Sequence, residues 1–88
     1  MSHAGPPKVF SLTIRLFLNN TFNTEFKKQF SSTTKVSELL AQIKGGLSPE
    51  QKDNDFYVYT DGMKLTMDKS LMMNGVDDGD TVEVKGIT

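Results

Sequence analysis

The 88-residue sequence predicts an α+β roll in the order β-β-α-β-β-β, a mixed sheet with one helix packed across one face. Three observations predict it. Residues 9–18 and 22–30 alternate between apolar and polar and are separated by Asn19-Asn20-Thr21, which is the pattern of two strands and a tight turn. Val36, Leu39, Leu40 and Ile43 fall at the i, i+3, i+4, i+7 spacing of one helix face. Residues 56–60 and 81–85 alternate again, and a chain returning from a helical crossover can lay its last strand beside its first. A chain of this length is one domain with one small core.

Each element has its own justification. Residues 1–8 carry Gly5, Pro6 and Pro7 without apolar periodicity and read as a flexible leader; residues 9–86 form the domain, and 87–88 a C-terminal stub. In the first strand, Phe10, Leu12, Ile14, Leu16 and Leu18 share one face, with Ser11, Thr13, Arg15 and Phe17 on the other. Asn19 and Asn20 suit a turn because asparagine tolerates left-handed backbone. In the second strand Phe22, Phe26 and Phe30 share a parity and are expected to face one core. Lys28 shares that parity too, so it snorkels at a sheet margin or a bulge shifts the register.

Residues 31–34 form a polar loop, with Thr34 the expected N-cap of a helix over 35–44 that Gly45-Gly46 ends. Ser48-Pro49-Glu50-Gln51 is a capping box with proline at the first helical position, opening a turn or two of helix. In the third strand Phe56 and Val58 point inward, Tyr57 and Tyr59 outward. Asp61-Gly62 is a strong turn before a short strand at 64–66. Residues 67–74 are irregular, with Leu71 and then Met72 the candidates for burial. After a turn at 75–80, the last strand sends Val82 and Val84 inward and Glu83 and Lys85 outward.

Composition removes several function classes. Ten basic and eleven acidic residues give a net charge of −1, which argues against nucleic acid or an acidic membrane as the main ligand. No cysteine is present, so there is no disulfide, thiolate nucleophile or Cys-ligated zinc. No run approaches the roughly 18 apolar residues of a membrane helix. The N-terminus lacks the apolar segment of a signal peptide, so the expected compartment is reducing, cytoplasm or nucleus. For the same reason the formal glycosylation sequon at Asn19 is read as turn chemistry. The lone His3 lies in the leader and no residue supplies a base for a nucleophile, so no enzyme, cofactor or metal is expected. Asp77, Asp78 and Asp80 lack the spacing of a calcium loop and read as a solvated acidic turn. Lys44-Gly45-Gly46 is too short for a phosphate loop. Met63, Met67, Met72 and Met73 could form an adaptable surface, but gap-filling in a small core is the expected reading.

Two binding sites are expected. If the last strand lies between the first and third, Tyr57, Tyr59, Arg15, Phe17, Glu83 and Lys85 form one outward patch. Aromatic residues and arginine amid polar groups are the composition of interface hot spots. A second candidate is a groove of Phe26, Lys28, Phe30, Leu40 and Lys44, whose apolar floor and basic rim suit an extended acidic-hydrophobic peptide added as a strand.

The element order, the strand from Leu12 to Leu18, Val36-Ser37-Glu38-Leu39-Leu40-Ala41-Gln42-Ile43, Leu47-Ser48-Pro49-Glu50-Gln51 and Tyr59-Thr60-Asp61-Gly62-Met63-Lys64-Leu65, with Leu71, Val76 and Val82 at core spacings, resemble the ubiquitin-like β-grasp family. Gly75-Val76-Asp77-Asp78-Gly79-Asp80-Thr81-Val82-Glu83-Val84 and Thr34-Lys35-Val36 are similar to the SUMO branch. The resemblance implies a non-covalent protein-interaction module in a ubiquitin- or SUMO-type pathway, monomeric, with a conjugating enzyme, deconjugating enzyme or adaptor as partner. It places the outward patch where ubiquitin carries its main recognition face, with aromatic and charged groups in place of aliphatic ones. It also places Lys28 and Phe30 where the SUMO peptide groove has two apolar residues. The alternative is a covalent modifier whose glycine-ended tail is missing from this chain. Only Lys85-Gly86-Ile87-Thr88 follow Val84, and the one Gly-Gly pair, 45–46, caps a helix.

Overall fold

A computed structural model describes residues 8–88. The expected leader, apart from Lys8, and His3 within it lie outside the described residues. Seven elements follow in chain order: β1 (Val9–Leu18), β2 (Thr21–Ser31), α1 (Val36–Lys44), α2 (Pro49–Lys52), β3 (Asp55–Thr60), β4 (Met63–Lys64) and β5 (Thr81–Ile87). They build one mixed five-stranded sheet in the order β2, β1, β5, β3, β4. β5 is parallel to β1 and antiparallel to β3, so the last strand fills the centre of the sheet.

Alternation decides the core. Phe10, Leu12, Ile14 and Leu16 of β1, Phe56 and Val58 of β3, and Val82 and Val84 of β5 are all buried on one face. Val36, Leu39 and Ile43 of α1 close over them, with Leu65, Leu71 and Val76 plugging the ends. Gly86 also belongs to this face, opposite Phe56. A Cβ there would lie 2.6 Å from Phe56 Cε1 and 3.1 Å from Asn54 Cβ, so any larger residue would force the Phe56 ring to shift.

The turns follow the residues that specify them. Asn19 (φ 52°) and Asn20 (φ 65°) make the two-residue left-handed turn between β1 and β2. Asp61 (φ 49°) and Gly62 (φ 77°) do the same between β3 and β4. The capping box at Ser48 forms as expected: its hydroxyl accepts from Gln51 N at 3.3 Å, and Gln51 Oε1 accepts from Ser48 N at 3.0 Å. Asn74 braces the long loop before β5. Its side chain accepts from Thr66 N at 2.8 Å and donates to the carbonyls of Thr66, Lys69 and Ser70.

Several expectations are corrected. The N-cap of α1 is Lys35, not Thr34. Thr34 N donates to Ser31 O and its carbonyl accepts from Leu71 N at 2.8 Å, which commits its backbone to the loop. Glu38 Oε1 instead reaches back to Lys35 N at 2.9 Å. The short strand sits at Met63–Lys64, not 64–66, because the two-residue turn sets Thr60 opposite Met63 and Tyr59 opposite Lys64. β5 runs on to Ile87, paired with Asp55, and Thr88 N donates to Asn19 Oδ1 at 3.0 Å. Met72 is exposed, while Leu71 is fully buried.

The most consequential correction concerns β2. Leu16 pairs with Thr24 but Phe17 pairs with Phe22, so Asn23 is an extra residue and β2 is bulged there. The bulge moves Phe22 to the face opposite Phe26 and Phe30. Phe30 is buried in the core, Phe26 packs against it, and Phe22 is 49% exposed on the outer face. The bulge leaves Lys28 on the helix side, opposite Leu12; its ammonium lies 6.0 Å from the Phe30 ring centre at the open margin, the snorkelling alternative.

Candidate protein-interaction surface

The outer face of the sheet is built by strand register. Arg15 of β1 lies beside Glu83 of β5, which lies beside Tyr59 of β3. In the next row Phe17 lies beside Lys85, which lies beside Tyr57. All six expected patch residues are therefore contiguous. The register adds three that were not expected there: Phe22 and Glu25 from β2 and Lys64 from β4.

Cations and aromatic rings alternate across this surface. The Arg15 guanidinium lies 5.3 Å from the Phe22 ring centre and 5.6 Å from that of Phe17. The Lys85 ammonium lies 5.7 Å from Phe17 and 5.1 Å from Tyr59. Lys64 stands 4.3 Å over Tyr57. Phe17 and Phe22 meet edge to face with centroids 5.7 Å apart. Arg15 Nε is 3.1 Å from Glu25 Oε1 at an angle that makes no hydrogen bond, so the pair is held by charge and the Nε–H has no acceptor. Lys85 is 3.9 Å from Glu83. Such stacking restrains these long side chains, and restraint of this kind lowers the ordering cost of any contact the face makes. Phe22 escaped sequence reasoning because uniform alternation places it inside. The available signal was the turn: a two-residue loop at Asn19-Asn20 forces Phe17 opposite Phe22.

The second candidate site divides in two. Phe26 and Lys28 line a cavity of about 290 Å³ between β2 and α1, with Leu16, Asn23, Ile43 and Leu47. Phe30 is buried and offers it no surface. Leu40 and Lys44 lie apart, on a depression of about 370 Å³ with Ser37 and Lys52. Lys44 stands 5.4 Å over Phe56, away from β2. The five residues therefore do not form one trough, because α1 crosses the sheet with Leu40 and Lys44 turned from β2.

The acidic turn is internally engaged. Asp78 Oδ1 accepts from Ser11 N at 2.7 Å, Asp77 Oδ1 from Asp78 N, and Asp80 Oδ2 from Asp77 N. Asp78 fastens the turn to the start of β1, while Asp77 and Asp80 close the turn on itself. The methionines correct the gap-filling expectation. Among the described methionines only Met67 packs against the core, while Met63 (71%) and Met73 (68%) are exposed and line a cavity of about 480 Å³ with Lys64 and Lys69.

No protein-family profile matches the chain, and no curated protein sequence matches it. Solved structures do. The ubiquitin-like domain of an Arabidopsis thaliana protein superposes with a TM-score of 0.63 at 17% identity, over 96% of this chain and 85% of that one. Caldiarchaeum subterraneum ubiquitin gives 0.65 at 16% identity, over 89% and 95%. The UBL domain of Plasmodium falciparum Dsk2 gives 0.63 at 18% identity, over 88% and 99%.

Proposed function

We propose that this chain, which has the ubiquitin-like β-grasp fold, is a non-covalent protein-interaction module whose outer sheet face docks partner proteins of a ubiquitin- or SUMO-type pathway. The observation that carries the reading is the alternation of Arg15, Lys85 and Lys64 with Phe22, Phe17, Tyr59 and Tyr57 on one contiguous surface. A rigid, half-buried aromatic supplies contact area at little entropic cost, and a stacked cation supplies direction. Two charged pairs, Arg15 with Glu25 and Lys85 with Glu83, offer both signs to a partner. The preference for the SUMO branch is supported by the sequence motifs at 34–36 and 75–84. The partners are conjugating enzymes, deconjugating enzymes or adaptors, met in the cytoplasm or nucleus. The proposal gives the chain no catalytic step.

The test is an NMR titration of the labelled domain with conjugating and deconjugating enzymes of both pathways. Shifts are expected at Tyr57, Tyr59 and Lys85, and Tyr59→Ala should weaken the complex about tenfold while the domain stays folded. Shifts confined to Phe26, Lys28 and Ile43 would move the site to the cavity beside β2. Equal loss of binding and of thermal stability in Tyr59→Ala would sink the reading.

A further inference from the structure

The two edges of the sheet are unequal. At one edge β4 is only two residues long, which leaves little backbone to pair. At the other, β2 offers eleven residues without proline, and beyond the bulge at Asn23 its run from 24 to 31 is regular. An open strand of this length is a template for another strand. Lysine is the residue that commonly blocks such an edge, and β2 carries Lys27 and Lys28. Here, however, Glu25 stands two residues from Lys27 on the same outer face, since Glu25 is opposite Arg15 and Lys27 opposite Thr13.

We propose that two copies of this chain pair antiparallel through β2, about a two-fold axis at Phe26, into a continuous ten-stranded sheet. Facing residues in an antiparallel pair share a side of the sheet, so only registers centred on a residue keep Phe26 and Phe30 on the helix side of both copies. Centring on Glu25, Lys27 or Lys28 sets that charge against itself. Centring on Phe26 sets Glu25 of each copy against Lys27 of the other, the one register in which opposite charges face. It also brings the two Phe26 rings together and Lys28 against Thr24. Lys27 makes no ion pair among the described residues, so it is available for this contact. Glu25 would lie between Arg15 of its own copy and the partner's Lys27. Five facing pairs form a small contact, so the dimer is weak and appears at high concentration.

Sedimentation equilibrium from micromolar to millimolar protein tests this with the intact chain. The wild type should show a reversible monomer–dimer equilibrium. Lys27→Glu alone, and Glu25→Lys alone, should each weaken it about tenfold, because like charges then face across both symmetric pairs. A one-to-one mixture of the two variants should recover association, because the mixed pair faces only opposite charges. Both sites are exposed, and far-UV circular dichroism verifies folding. A wild type that stays monomeric throughout overturns the proposal. So does association that neither variant weakens, or a mixture no tighter than its components. None of these outcomes bears on partner binding by the outer face.

Discussion

The two faces of the sheet are made by the same strands and differ in kind. On the helix side, Leu12, Ile14, Val58, Val82 and Val84 are fully buried and aliphatic. One residue away on each strand, Arg15, Phe17, Tyr57, Tyr59, Glu83 and Lys85 are half-exposed and polar or aromatic. The first face stabilises by removing apolar area from water, a term that grows with every buried methylene. The second holds its side chains by stacking and charge, each pair contributing little to stability. The fold therefore rests on one face, and the other can vary at little cost to stability.

Substitutions should break this division in a graded way. Leu12→Ala, which empties a fully buried site, is expected to cost about 3 kcal/mol of unfolding free energy in a denaturant titration. Gly86→Ala inserts a methyl where Phe56 already lies and should cost about 2 kcal/mol, read by the same titration. If it were neutral, Phe56 could move aside and the helix-side face would be softer than its packing suggests. Phe22→Ala removes a ring from the outer face and should cost about 1 kcal/mol or less. A loss from Phe22→Ala as large as that from Leu12→Ala would erase the distinction between the faces.

Much of the fold is legible in the sequence. The helix stripe from Val36 to Ile43, the turn at Asn19-Asn20, the turn at Asp61-Gly62 and the capping box at Ser48 are local devices, each carried by neighbouring residues whose chemistry allows few alternatives. The outer patch is legible as well, because alternation assigns sides and the crossover rule assigns neighbours. What is not legible is non-local. One inserted residue at Asn23 inverts everything between it and the turn, and periodicity does not register a single insertion. The groove of Phe26, Lys28, Phe30, Leu40 and Lys44 fails for a related reason. Residues on a helix and on a strand meet according to the angle and position at which the helix crosses. Met63 and Met73 look like core residues by type, but the core is already filled by Leu65, Leu71 and Val76.

By itself, then, the sequence determined the helix, the tight turns and which sides of β1, β3 and β5 are apolar, since these depend on contacts within a few residues. Only the tertiary structure decided that Phe22 joins Arg15 and Phe17, that Lys64 stacks on Tyr57, and that β2 rather than β4 offers the open edge. Those depend on strand order and register, which are fixed when hydrogen bonds and a shared core bring distant segments together.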